Sequence, residues 1–215
     1  MKPAKPKLAP RLLKIIRALR AAHPDAHCAL HHRNPLQLLI ATILSAQCTD
    51  ERVNLVTPAL FDRYHTAADF AAAPPGELEA LIRSTGFFRN KARSIRACCR
   101  AIADHHHGVV PDQMDELIQL AGIGRKTANV VLGVAYGKAD GIVVDTHVIR
   151  LSRRLGLTRQ TTPEKIEQAL IKIVTRADWI DFSHLLIWHG RRRCTARNPD
   201  CVHCELARWC PKIGL

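Results

Sequence analysis

Four cysteines crowd the C-terminal end of the chain as Cys194-x6-Cys201-x2-Cys204-x5-Cys210, with five residues after the last. No helix or strand fits between them. So short a tail lacks the apolar material for a core of its own, and four thiolates closing round one inorganic centre account for the pattern. Spacing alone leaves that centre open. Zinc takes four thiolates at about 2.3 Å, usually from two short C-x2-4-C arms, and here only Cys201 and Cys204 form such an arm. A larger iron–sulfur cluster suits the longer outer loops. The remaining cysteines, Cys28, Cys48, Cys98 and Cys99, stand in apolar, helical surroundings where a free thiol packs as a small hydrophobe. With no secretion signal in view, a reducing cytosol fits better than a disulfide framework.

At 215 residues and 47% hydrophobic, the chain has material for one large domain or two small ones. No apolar run reaches membrane-spanning length. Lysine and arginine number 32 against 19 acidic residues, a net charge of +13, and the isoelectric point is near 9.8. That excess draws polyanions. No basic amphipathic helix with aromatic anchors points to a membrane surface, so nucleic acid is the expected partner. Residues 1–11, basic and proline-rich, read as a solvated lead into the first helix.

Periodicity runs from helix to helix, and the fold class is all-α. Leu12, Leu13, Ile16 and Leu19 mark one apolar face. Residues 35–46 are apolar nearly all round, as in a helix buried within a bundle. Pro74-Pro75-Gly76 interrupts, a helix begins over 77–83, and another covers 91–103 before a solvated His105-His106-His107 loop. Thr162-Pro163-Glu164 is a helix start with Thr162 as cap, and Ile166, Leu170, Ile173 and Val174 form its buried stripe. Only residues 141–144 look strand-like, too few to demand a sheet. Leu81-Ile82-x3-Gly86 with Ala92 echoes Leu117-Ile118-x3-Gly122 with Ala128, and both read as helix, glycine turn, helix.

The second copy of that echo carries the chemistry. Leu120-x-Gly122-x-Gly124-x-x-Thr127-Ala128 reads as a helix-hairpin-helix. The glycines allow positive φ and close approach, and Ile123 between them plugs the turn into the core. The N–H groups opening the second helix, with its dipole, make an anion site for a backbone phosphate that Arg125 and Thr127 supplement. Lys126 lies in that first turn, where a cation is disfavoured by roughly 0.3–1 kcal/mol, and burial would disfavour it further. A neutral amine there is a nucleophile able to form a Schiff base at an aldehyde-level carbon; the plainer role is one more phosphate-binding lysine. Asp145, after Ile142-Val143-Val144 and before Thr146-His147, is a natural N-cap for a helix over 148–155. A capped carboxylate held as the anion also suits stabilising a positive, sugar-like transition state.

With these motifs the chain resembles the endonuclease III family of DNA repair glycosylases, of the helix-hairpin-helix superfamily and iron–sulfur type. The resemblance spans almost the whole chain. It rests on Leu44-Ser45-Ala46-Gln47-Cys48-Thr49-Asp50, residues 122–132, Val144-Asp145-Thr146-His147, His189-Gly190 and the four terminal cysteines, in the family's order. It implies two helical domains with a DNA groove between them: a six-helix domain over 28–138, and a discontinuous domain of 1–27 and 139–215. It implies a [4Fe–4S] cluster on Cys194, Cys201, Cys204 and Cys210, Lys126 as nucleophile and Asp145 as its acidic partner. Gln47 would fill the gap left by an extruded base. Phe87 and Phe88 fall in the family's second wedge loop, where core packing is the competing role. Gly122, Gly124, Arg125, Thr127 and His147 belong to the DNA-contacting motifs, and Arg197 would face phosphate.

The activity implied is that of a bifunctional glycosylase and AP lyase excising oxidised pyrimidines from duplex DNA. The protein would act as a monomer in a bacterial cytoplasm, associated with the nucleoid. The alternatives are a monofunctional glycosylase of different lesion range and a non-catalytic helix-hairpin-helix DNA-binding protein. Ala121, where the family often has Pro, and Phe88, where Tyr is common, bear on pocket shape rather than on the reaction.

Overall fold

A computed structural model describes residues 8–215, which form helices, short 3₁₀ turns and loops, with no strand among them. In chain order the α-helices are α1 (Leu8–Ala22), α2 (Pro35–Leu44), α3 (Asp50–Arg63), α4 (Ala67–Ala71), α5 (Glu77–Ile82), α6 (Phe88–His105), α7 (Met114–Leu117), α8 (Arg125–Tyr136), α9 (Thr146–Arg154), α10 (Pro163–Leu170) and α11 (Trp179–Arg192). Two compact units result. One is Cys28–Asp140; the other joins the residues through His27 with Gly141–Leu215. No helix among the described residues is long and apolar enough to cross a membrane.

The Cys28–Asp140 unit is built round α2. Asn34 starts this helix, its side chain accepting from the Gln37 N–H, with Pro35 in the first turn. Leu36 and every residue from Leu38 to Leu44 are buried, with α3, α6 and α8 packed on it, so an all-round apolar sequence is what the position requires. The helix ends at Leu44, two residues earlier than its apolar run. The Ser45 hydroxyl donates to the Thr42 carbonyl (2.9 Å), and Gln47 turns left-handed at φ +52. The unit's longest helix, α6, buries Lys91, Ala92, Ile95, Cys98, Cys99 and Ile102. Burial pushes the Cys98 thiol up to about 12, which keeps it an inert hydrophobe. The sequence echo is also structural. Gly86 (φ +71) precedes α6 and Gly122 (φ +79) precedes α8, and Ala92 and Ala128 are both fully buried.

In the other unit, α11 packs against α1 and α9. The core face of α1 is Leu12, Ile15, Ile16 and Leu19; Leu13 is 49% exposed and does not belong to it. A spacing of three and four selects Ile15 over Leu13. Residues 141–144 form no strand. Ile142 and Val144 point into the core, while the Val143 N–H donates to Ser183 Oγ (3.0 Å). The strand-like run thus forms no sheet, and a side chain takes its Val143 N–H instead. Thr162 precedes α10 but makes no side-chain cap, Pro163 filling the first turn instead.

Candidate active site and cysteine centre

Within the Cys28–Asp140 unit, α7 is one turn long and the chain reaches Gly122 through Leu120, which is buried. A side chain at Gly122 would be strained. The residue's φ is +79, and a Cβ would fall 2.9 Å from Ser94 Cβ on α6. Ile123 is buried as the plug. Gly124 caps α8 at φ −95 and ψ 172, a backbone any residue adopts, so its glycine is not there for φ. Nothing lies within 4 Å of the Cβ position, so the start of α8 is open on that side. Arg125 and Lys126 are exposed in this first turn and Thr127 is half-buried. The burial expected for the Lys126 side chain is therefore absent.

A cleft of about 250 Å³ lies beside the hairpin, lined by Gln47, Phe87, Asn90, Ser94, Gly122 and Thr127 among others. Gln47 and Phe87 both have left-handed φ, +52 and +47. The structure separates the two phenylalanines. Phe87 is 63% exposed, whereas Phe88 is half-buried against the unit's core with the Arg89 guanidinium 5.2 Å over its ring.

In the other unit Asp145 caps α9, its Oδ1 accepting from the Val148 N–H (2.9 Å). One turn on, Arg150 Nη2 stands 3.1 Å from His147 Nδ1 and donates to the Gly190 carbonyl (2.9 Å). Burial lowers the His147 imidazole from its ordinary value, with Asp145 pulling the other way. Gly190 explains the His189-Gly190 pair. A Cβ there would sit 2.8 Å from His147 Nδ1, so a side chain at this position would push the His147 ring aside.

All four terminal cysteines line one cavity with Arg154, His189 and Leu206. N–H donors point at three of the sulfurs. Arg154 Nη1 donates to Cys194 Sγ (3.3 Å), the Leu206 amide to Cys204 Sγ (3.4 Å) and the Lys212 amide to Cys210 Sγ (3.4 Å). His189 Nε2 also lies 3.5 Å from Cys204 Sγ. Burial raises the thiols of Cys204 and Cys210, so a cation in the cavity is what would hold them as thiolates. Sequence reading missed Arg154. Its signal was an arginine in the register of Val148 and Leu151, and it is 8% exposed. Of the neighbouring arginines, Arg192 pairs with Asp25 (2.6 Å), and Arg193, which also lines the cavity, pairs with Asp200 (2.6 Å) and Glu205 (3.0 Å). Arg197 is exposed on the loop between Cys194 and Cys201.

Two helical units, one with a glycine hairpin opening a helix and one with a four-cysteine cavity, define a DNA-repair class of fold. Residues 40–176 match the model of the HhH-GPD superfamily base excision DNA repair proteins. The chain is 54% identical to endonuclease III of Synechocystis sp. over 201 residues, 94% of this chain and 92% of that one. Two solved structures superpose with a TM-score of 0.90. One is a non-covalent endonuclease III–DNA complex, 45% identical and covering 95% of each chain. The other is a trapped endonuclease III–DNA covalent intermediate, an estranged-adenine complex, 46% identical and covering 95% and 96%. The chain therefore belongs to the HhH-GPD superfamily of base excision DNA repair proteins, and within it to the endonuclease III family.

Proposed function

We propose that the chain excises oxidised pyrimidines from duplex DNA as a bifunctional DNA glycosylase and AP lyase, with Lys126 as nucleophile and Asp145 as its acidic partner. The observation that carries this is the placement of Lys126: an exposed amine in the first turn of α8, directly after a glycine turn. Phosphate held at that helix start brings a deoxyribose within reach of the amine. The covalent DNA intermediate of a relative of the same fold supports a protein nucleophile.

The Lys126 amine donates its lone pair to C1′ and the base leaves with its bonding pair. Asp145 stabilises positive charge developing on the sugar. Opening of the sugar gives a protonated Schiff base, which acidifies the C2′ hydrogen. Loss of that proton expels the 3′ phosphate, and water then releases the lysine. Gln47 and Phe87 enter the duplex where the base leaves, while Phe88 anchors the second wedge loop in the core. Gly122, Gly124, Arg125 and Thr127 grip the phosphate, and His147 and Arg197 add contacts from the other unit.

Cys194, Cys201, Cys204 and Cys210 hold a [4Fe–4S] cluster in this reading. N–H donors on the sulfurs suit anionic cluster ligands. Zinc would draw four sulfurs to about 3.8 Å of one another from its ~2.3 Å bonds. Among the described residues, the group of metal-ligating atoms within 4.8 Å of one another includes none of the four cysteines. When bound, the cluster supplies the bonds that fix the Arg197 loop.

Borohydride trapping on a thymine glycol duplex tests the reading. Wild type forms a covalent adduct, and Lys126→Gln forms none yet still binds the duplex. A trapped adduct with Lys126→Gln overturns the assignment. A panel of oxidised, deaminated and alkylated bases tests the substrate class.

A further inference from the structure

The first turn of α6 holds a lysine that is 6% exposed. Lys91 Nζ donates to the Leu44 carbonyl (2.8 Å) and to the Thr85 carbonyl (2.8 Å). Leu44 is the last residue of α2, and Thr85 is the last of the 3₁₀ turn Arg83–Thr85. Both carbonyls belong to helix ends, whose acceptors have no partner inside the helix and which carry partial negative charge. One ammonium, with three donors and no acceptor, closes both. Burial pushes it below the ordinary lysine value. An ammonium is a costly group to place on the buried stripe of a helix, so a second role is worth seeking.

That role lies just beyond the two carbonyls. Gln47 is three residues past Leu44 and Phe87 is two past Thr85. Both are side-chain-bearing residues with left-handed φ, a conformation that persists only where its surroundings impose it. Both also line the cleft that Lys91, Asn90 and Ser94 line from α6. One turn on from Lys91, Ser94 meets Gly122 of the hairpin. A single helix thus sets both loops and the hairpin in one frame.

We propose that Lys91 is a positioning residue for base extrusion: its ammonium staples the loops at 44–49 and 85–88 to α6, so that Gln47 and Phe87 act as a rigid pair. This rests on the reading that these two side chains enter the duplex. Unstacking a base costs a few kcal/mol, and a wedge on a loose loop yields instead of the stack. The loss falls on base removal. It falls less on an abasic site, where no base remains to be displaced.

The test compares Lys91→Met, Gln47→Ala, Phe87→Ala and Lys91→Met/Gln47→Ala in the cluster-loaded protein. Lys91→Met slows single-turnover release of thymine glycol by about tenfold to a hundredfold, the scale of a small misplacement. Cutting of a preformed abasic duplex falls by less than about a third of that factor, and binding to undamaged duplex stays within about twofold, because phosphate contacts are untouched. Amide exchange quickens at 45–48 and 85–88 but not along α8. The double variant is no slower than the worse single one, since the two changes act through one element.

Equal losses in all three activities, or additive losses in the double variant, would mean a merely structural lysine and overturn the proposal. So would unchanged base release in Lys91→Met while Gln47→Ala and Phe87→Ala are impaired. If those two variants release the base normally, the wedge reading itself fails. Should Lys91→Met not fold, Lys91→Gln, which keeps an N–H donor but not the charge, is read by the same ratios, and Lys91→Arg should restore part of the base release.

Discussion

In the proposed reading Asp145 does two jobs with one carboxylate, and substitution separates them. Its Oδ1 caps α9 through the Val148 amide. Asparagine caps about as well as aspartate, whereas alanine costs about 1 kcal/mol. Asp145→Asn is therefore expected to melt with wild-type protein but to release base about 10²–10³-fold more slowly, the usual loss for a transition-state charge partner. Asp145→Ala should be slow and also less stable. Rates by single turnover and melting by circular dichroism check both, and a normal rate in Asp145→Asn would leave Asp145 only its cap. Lys91 and Arg154 teach the same lesson from the other side. Each is a cation in an apolar register, and each proves to hold acceptors that a helix end or a sulfur leaves open.

At the level of elements, the hairpin and its neighbour α6 depend on each other. Gly122→Ala combines a left-handed φ, costing about 1–2 kcal/mol in a side-chain-bearing residue, with the overlap on Ser94. Its denaturation midpoint should fall, and Ser94→Gly added to it should recover the overlap but not the backbone cost. Full recovery or none would refute this division. Helix α5 is tied to α6 by a different force. Arg96 grips the Glu79 carboxylate, which also accepts from the Gly76 N–H (2.9 Å). The Arg96 hydrogen bond draws Glu79 down to about 2 from an ordinary 4.5. A carboxyl lowered on folding contributes fully above its unfolded value and less as pH falls toward the folded one. Urea midpoints of Glu79→Gln should thus lose the part of the acid decline between about 4.5 and 2 that wild type shows. An identical decline in the variant would remove Glu79 as its source.

For the whole molecule the governing quantity is the +13 charge. Each phosphate neutralised releases counterions, so log K for duplex should fall steeply with log salt, by about 0.9 per contact. Arg197→Ala should make that slope shallower by about one contact. A flat slope in wild type, measured by fluorescence anisotropy, would contradict docking through phosphates. Much of this protein is legible in its sequence. Helical spacing disclosed an all-α chain, because burial of one face every three to four residues leaves its mark in sequence. The glycine hairpin and the Asp145 cap were legible because they follow from neighbours in the chain. Leu13 was misassigned and Gln47, Phe87 and Lys91 were not linked, because periodicity cannot say which element will cover a face. Phe87 and Phe88 are adjacent and alike; only the packing of α6 sends one to solvent and the other to the core. Chain-local chemistry was thus written in the order of residues. The frame that joins two distant loops through one ammonium was decided by tertiary contacts, since a carbonyl 47 residues from its donor leaves no local trace.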